Sequence, residues 1–313
     1  WGYANQALTR SAPRDLARIW PGRFDLILVD APCSGEGLFR KDPGAVAHWS
    51  PEAVARSATR QREILGEAMN LLAPGGWLIY STCTYNESEN EDQVRWLQEE
   101  HGFSLHLPVI PDHWGVRVND RGWRCLPQRV RGEGFFCSIL HKVNDGPDRP
   151  EITGTYRSDA VHSSQDGKAI QGIRPFLKDA DRFAFRADRN GQWSALPSEI
   201  FSRYGDILDS RAVIQAGLTL GMYKTPERFV PDHALALSHE VSTEIPVWEL
   251  DREAALAFLR KETPGTTLPE PGLYRVCHGG SGLGWAKVLP NRVNNLIPHH
   301  WRIRMQGPVD HQR

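Results

Sequence analysis

Apolar and polar positions in the first third of the chain alternate between two rhythms. Phe24-Asp25-Leu26-Ile27-Leu28-Val29-Asp30 is a short, nearly continuous apolar run with a β-branched component, the pattern of a strand buried on both faces. Ser50-Pro51-Glu52 then supplies an N-cap, a proline at the first helical position and an early acid. From there Val54, Ala58, Leu65, Ala68, Met69 and Leu72 recur at helical spacing. Pro74-Gly75-Gly76 ends that helix, and Trp77-Leu78-Ile79-Tyr80-Ser81 reads as the next strand. Asn86 and Glu89 stand at capping-box spacing for a second helix, which stops at Gly102.

Strand, helix, strand, helix predicts a right-handed crossover and a parallel sheet. Phe135–His141 is a later strand placed to close the sheet edge. Parallel strands deliver their carboxyl ends to one side of an open sheet, where such folds bind ligands. Two cysteines sit just past those ends, in Asp30-Ala31-Pro32-Cys33-Ser34-Gly35 and in Ser81-Thr82-Cys83-Thr84. Neighbouring strands bring Cys33 and Cys83 together although they lie far apart in the chain. Either cysteine alone reads as a small core residue. Paired, flanked by turn formers and joined by Asp30, they read as a reactive constellation.

The rest of the chain is less regular. Residues 1–144 read as the portion holding the sheet, 145–170 as a linker rich in Asp, Gly, Pro and Ser, 171–232 as a small intermediate domain, and 233–313 as a terminal domain. A helix is predicted from Asp251 to Lys261, followed by glycine-rich strand segments. The chain starts at Trp1, not Met, and reaches a strand within about two dozen residues, so it reads as a piece of a longer protein.

Bulk properties narrow the chemistry. The net charge is −1 and the pI about 6.9, so a nucleic-acid surface has to be a local patch. Five cysteines with no CxxC pair and no zinc-type spacing argue for free thiols and no metal. No apolar run is long enough to span a membrane, and a cytoplasmic location is expected. A thiol-based redox or hydrolytic enzyme would need the CxxC or the positioned histidine that the motifs lack.

A thiolate solves one particular problem. C5 of cytosine is too weak a nucleophile to take a methyl group, but attack of a thiolate on C6 turns the ring into an enamine and makes C5 reactive. A carboxylic acid at N3 stabilises that adduct, which suits Asp30. The C5 proton must then leave and the first thiol be expelled, which gives work to a second thiol.

These residues resemble the RNA 5-methylcytosine methyltransferases of the RsmB/RsmF (Sun) type. The likeness lies in Asp30-Ala31-Pro32-Cys33-Ser34-Gly35-Glu36-Gly37, Ser81-Thr82-Cys83-Thr84, Phe39-Arg40-Lys41-Asp42-Pro43, Glu87-Ser88-Glu89-Asn90-Glu91 and Gly132-Glu133-Gly134-Phe135-Phe136. It implies Cys83 as nucleophile, Cys33 as the product-release cysteine, and Asp30 with Pro32 beside the cofactor, S-adenosyl-L-methionine. It implies the C-terminal portion of a Rossmann-like class I methyltransferase sheet, an α/β fold, followed by small α+β domains. Leu283-Gly284-Trp285-Ala286-Lys287 and Pro298-His299-His300-Trp301-Arg302 are similar to the PUA-like RNA-binding end of the RsmF branch.

The implied partner is RNA, ribosomal before transfer RNA, bound by a monomer. Arg40 and Lys41 stand beside the Cys33 loop. Arg117, Arg121, Arg124, Arg129 and Arg131, interleaved with Trp114 and Trp123, suit phosphate contact and base stacking. Lys287 is the candidate in the terminal domain. A non-catalytic RNA binder on the same scaffold is the alternative. Two departures stand out: no glycine-rich turn follows a first strand, and Thr9-Arg10-Ser11-Ala12 offers no acid to an adenosine. Residues 1–313 alone are therefore expected to bind the cofactor weakly.

Overall fold

A computed structural model describes residues 2–143, 164–208, 212–262, 264–265 and 267–305. The chain divides into two compact units, residues 11–151 and residues 1–10 with 152–313. β1 (Ala7–Thr9) belongs to the second unit and pairs antiparallel with the strand at Val213–Ala216.

In the unit of residues 11–151 the order is α1 (Pro13–Ile19), β2 (Phe24–Asp30), α2 (Pro43–His48), α3 (Pro51–Leu71), β3 (Leu72–Thr82) and α4 (Glu91–His101). Then come β4 (Phe103–Leu105), β5 (Arg117–Val118), β6 (Trp123–Cys125) and β7 (Phe135–Lys142). The sheet runs β2-β3-β7-β6-β5, with β4 also on β7. Only β2 and β3 are parallel; β7 pairs antiparallel with β3, β4 and β6. β7 thus lies inside the sheet, where the sequence placed it at the edge.

α3 begins as its signals dictate: the Ser50 side chain accepts the Ala53 N–H at 3.1 Å, and Pro51 is the first helical residue. The helix passes directly into β3, five residues ahead of the expected strand start. Leu72 already pairs with Phe24, and a register shift before Leu26 absorbs the Pro74-Gly75-Gly76 segment. Leu65, Leu78, Tyr80, Leu97, Phe136 and Leu140 are fully buried between sheet and helices and form the core.

β2 departs from the expectation of burial on both faces. Val29 is buried and Ile27 partly so, but Leu26 and Leu28 are 57% and 63% exposed. Among the described residues the strand has a neighbour on one side only, and its alternate residues point away from α3. α4 also starts later than its capping-box spacing suggests. Asn86 Oδ1 does accept the Glu89 N–H, but the Glu89 carboxylate does not return to the Asn86 N–H, and the helix begins only at Glu91. Gly102 ends it in the left-handed conformation, φ 67°.

The second unit carries α5 (Ser164–Ile173), β8 (Phe183–Ala187), β9 (Gln192–Pro197), α6 (Ser198–Leu208), β10 (Val213–Ala216), β11 (Leu218–Thr225), β12 (Arg228–Pro231) and α7 (His233–Leu237). Its first sheet is ordered β12-β11-β9-β8. α5 opens inside the stretch read as linker, whose residues 145–163 lie outside the described residues. A second sheet follows from β13 (Val247–Glu249), β14 (Gly272–His278), β15 (Ser281–Leu289) and β16 (Arg292–Asn295) in that order, with α8 (Arg252–Arg260) after β13. Asp251 caps α8 by accepting the Ala254 N–H. Trp285 is 1% exposed and donates from Nε1 to the Asp232 carbonyl, a core residue, whereas Trp301 is 43% exposed.

Candidate active site

β2 stays in register with β3 to its last residue: Asp30 pairs with Ser81, and the Ala31 N–H donates to the Ser81 carbonyl. Both cysteine loops therefore leave the sheet at one end. Cys33 Sγ and Cys83 Sγ lie 3.0 Å apart, both half-buried. The sequence expectation that these thiols meet holds. Asp30 is exposed at the same strand end, and its Oδ1 accepts the Ser81 hydroxyl at 2.9 Å. Pro32 is exposed beside it.

The two thiols are not equivalent. Either sulfur can donate across this contact, but the hydrogen bond from Cys33 is what stabilises an anion on Cys83, and the Cys83 thiol is pulled from its ordinary 9.0 down to about 7 against the opposing effects of burial and of Asp30 and Glu89. The same contact, with burial and the repulsion of a second anion, pushes Cys33 far up. One proton is thus shared by a pair in which Cys83 is the readier nucleophile.

The loops hold each other. Glu36, in the Cys33 loop, accepts the Thr84 hydroxyl at 2.8 Å and the backbone N–H groups of Tyr85 and Asn86 at 2.7 and 2.9 Å. Trp49 Nε1 adds a fourth donor. Burial opposes ionisation here, but these donors outweigh it and hold the Glu36 carboxyl below the usual carboxylate range. The Gly37 N–H donates to the Cys83 carbonyl at 2.9 Å. Gly37 has no room for a side chain: a Cβ there would stand 2.5 Å from the Gly134 oxygen and 2.8 Å from the Cys83 oxygen. Ser34 and Thr84 hydroxyls are 2.9 Å apart.

The expected RNA-contacting residues divide into engaged and free ends. Arg40 donates to the Gly132 carbonyl and Lys41 pairs with Glu133 at 2.9 Å, so both tether the Gly132-Glu133-Gly134 segment. Both keep exposed surface beside the Cys33 loop. Arg124 is committed to the interior: it pairs with Glu91 and donates to the Tyr85 carbonyl. Arg121 donates to Gln98, and Arg129 to the Gly115 carbonyl while remaining exposed. Lys287 projects from β15 into solvent.

Sequence reasoning missed Glu36 and Glu89 as loop clamps, and Gln61 altogether. Gln61 is a fully buried amide on α3. Its signal was present: it falls between Ala58 and Leu65 on the apolar stripe, where a polar side chain has no reason to be unless it has partners.

Against S-adenosylmethionine the site is one-sided. Asp30 and Pro32 face outward at the end of β2, beyond which no further strand of the described residues continues the sheet. No glycine-rich strand-to-helix turn occurs there among the described residues, so these residues form a wall and not a cradle. Among the described residues no group of His, Cys, Asp and Glu could hold a metal ion.

Comparison with known proteins meets this geometry. Residues 5–141 match the model of the 16S rRNA methyltransferase RsmB/F family, and residues 246–303 match that of the methyltransferase RsmF PUA domain. The "Ribosomal RNA small subunit methyltransferase F" of Salmonella agona is 33% identical over 311 residues, covering 95% of this chain and 63% of that protein. The protein of the same name from Salmonella schwarzengrund matches over the same shares, also at 33%. The chain thus spans under two thirds of the length of these relatives. A solved structure of NSun6 from Pyrococcus horikoshii with SFG is 29% identical over 44% of this chain and 35% of its own, at a TM-score of 0.36. With both matched segments in chain order and the paired cysteines inside the first, residues 5–141 belong to the RsmB/F methyltransferase family and residues 246–303 to the PUA domain of its RsmF members.

Proposed function

We propose that the protein is an S-adenosylmethionine-dependent RNA (cytosine-5)-methyltransferase acting on ribosomal RNA. The observation that carries this reading is the thiol pair, 3.0 Å apart at the ends of two parallel strands, with its acidities driven in opposite directions. S-adenosylmethionine supplies the methyl group.

The chain's own groups account for the rest. The Cys83 thiolate adds to cytosine C6, forming an S–C bond and pushing the ring electrons towards C5, while Asp30 stabilises the adduct at N3. Forming that bond also changes Cys33. Cys83 is then a neutral thioether, and the anion that held the Cys33 proton in place is gone, so Cys33 becomes acidic enough to ionise and act as a base. It removes the C5 proton after methylation; the electrons re-form the C5–C6 double bond and expel the Cys83 thiolate. The two roles thus follow in time from one coupled pair. Arg40, Lys41, Arg129 and Lys287 are proposed to meet the RNA backbone, and the target cytidine has to be unstacked because C6 is out of reach inside a duplex. We propose that the protein works as a cytoplasmic monomer. Among the described residues no helix is long and apolar enough to cross a membrane.

The test uses the protein at its natural length with Cys33→Ala, incubated with cellular RNA and S-adenosylmethionine and run on a denaturing gel. An RNA-linked band that vanishes when Cys83→Ala is added is the expected result, and sequencing that RNA separates ribosomal from transfer RNA. No band from a folded, RNA-bound protein overturns the reading in favour of a non-catalytic RNA binder.

A further inference from the structure

Cys33 is held from outside its own loop. Gln61, from the middle of α3, donates through Nε2 to the Pro32 carbonyl at 3.0 Å, one residue before Cys33. Glu89, from the turn before α4, accepts the Ser34 N–H through Oε2 at 3.0 Å, one residue after it. The two side chains are joined, Gln61 Nε2 to Glu89 Oε2 at 2.8 Å, and both are completely buried. Asn86 Nδ2 fixes the other carboxylate oxygen at 2.7 Å.

The orientation of the amide is forced. Both atoms it faces, the Pro32 oxygen and the Glu89 carboxylate, are acceptors, so the NH₂ end must point at them. Its own oxygen is left buried with no hydrogen-bond partner. An orphaned buried carbonyl is a cost that an apolar residue of the same shape would avoid. A polar residue on the apolar stripe of α3 therefore works against core packing, and what it gains is the grip on both sides of Cys33.

We infer that Gln61 and Glu89 are positioning residues that fix the Cys33 backbone and so set the sulfur–sulfur contact on which the reactivity of Cys83 depends. Neither needs to touch the RNA or the cofactor. The inference rests on the proposed function only for its consequence in methyl transfer; the contact itself is a property of this chain. A sulfur–sulfur hydrogen bond is sensitive to a few tenths of an ångström, and a loop released at Pro32 and Ser34 keeps beside Cys33 the Ser34 hydroxyl's contacts with Thr84 at 2.9 Å and Asn86 Nδ2 at 3.4 Å, which hold a side chain and not the backbone.

The test reads the pH dependence of Cys83 alkylation by iodoacetamide, by mass spectrometry of the Cys83 peptide, with neither RNA nor cofactor present. Its failure is thus separate from a failure of the methyltransferase reading. Gln61→Met keeps the shape and deletes the donors. The midpoint of the profile is expected to rise by half a pH unit or more, with the melting curve still cooperative. A purely structural amide would shift the melting temperature and leave the midpoint in place, and that result overturns the inference. Glu89→Met gives a second, sign-resolved reading should Gln61→Met not fold. Losing the Glu89 charge favours the Cys83 thiolate and lowers the midpoint, whereas losing the grip raises it, so Glu89→Met is compared with the equally uncharged Glu89→Gln: a higher midpoint in Glu89→Met is expected, and equal midpoints overturn the inference. Glu89→Gln, whose amide oxygen can still accept the Ser34 N–H, is expected to stay at or below the wild-type midpoint.

Discussion

Replacing Cys33 by alanine removes the donor that favours the Cys83 anion, and the size of the effect follows from the pair itself. With Cys33 present Cys83 ionises at about 7, against 9.0 for an ordinary thiol. At pH 7 the thiolate fraction is then about one half, and full return to the ordinary value leaves about 1%. Fifty-fold less thiolate does not mean a fifty-fold slower reaction, because a more basic thiolate is a better nucleophile. With a Brønsted slope of about 0.4–0.5, two pH units of basicity return roughly six- to tenfold. Cys83 in the Cys33→Ala protein is therefore expected to alkylate about five- to eightfold more slowly at pH 7. Above pH 9, where both proteins are ionised, the order reverses and the variant reacts faster. Both thiols are half-exposed, and solvent screening shrinks these factors, so a midpoint rise of one pH unit is the least that the geometry demands. Stopped alkylation followed by peptide mass spectrometry between pH 5.5 and 10 measures both limbs. An unchanged midpoint, or a variant slower at every pH, would refute the claim that Cys33 acts on Cys83 through the shared proton.

Gly37→Ala puts a Cβ against two backbone oxygens, those of Gly134 and Cys83, so the loops must part. It is expected to destabilise the unit by about 1–3 kcal/mol and to raise the Cys83 alkylation midpoint; wild-type melting and alkylation together would count against the tight packing. In the second unit His233 is buried with Nδ1 unpartnered, and burial lowers its pKa below 6.5; Asp232 opposes this and His300 adds to it. The unfolded chain therefore takes up the proton first as the pH falls. The stability this group contributes is present above about 6.5 and is lost below it. His233→Gln is expected to lose less melting temperature between pH 7.5 and 5.5 than the wild type, and an equal loss in both proteins would remove His233 as the cause.

Much of the thiol site was legible because its logic is local. A strand ending in Asp30 and another ending in Ser81 place the residues after them at one sheet edge, whatever the remaining topology is. Ser50-Pro51 and Gly102 likewise state their helix boundaries in a few residues. What the pattern could not show was pairing. An apolar run such as Leu26-Ile27-Leu28 looks the same at the centre of a sheet as at its edge, because hydropathy records what a strand would bury and not what lies beside it. Phe135–His141 failed for the same reason: nothing local says that β7 runs antiparallel between β3 and β6. The arginines of residues 117–131 show the limit for charge. Arg124 reads as an RNA contact until the fold brings Glu91 to it.

Asn86 and Glu89 carry this furthest. Their spacing is that of a capping box, and a capping box would close on itself within one turn. In the folded chain the Asn86 N–H is taken by Glu36 from the other cysteine loop, and the Glu89 carboxylate reaches across to Ser34 and Gln61. A motif whose local partners were available has been used for contacts of long sequence separation. Each cysteine loop supplies the acid that fixes the other, Glu36 for the Cys83 side and Glu89 for the Cys33 side, so neither thiol can shift without the other loop responding. A pair that must trade one proton during a reaction needs this property. The distance between the sulfurs is a constraint shared by both loops, and four buried or half-buried carboxylate contacts to backbone and amide N–H groups keep it so.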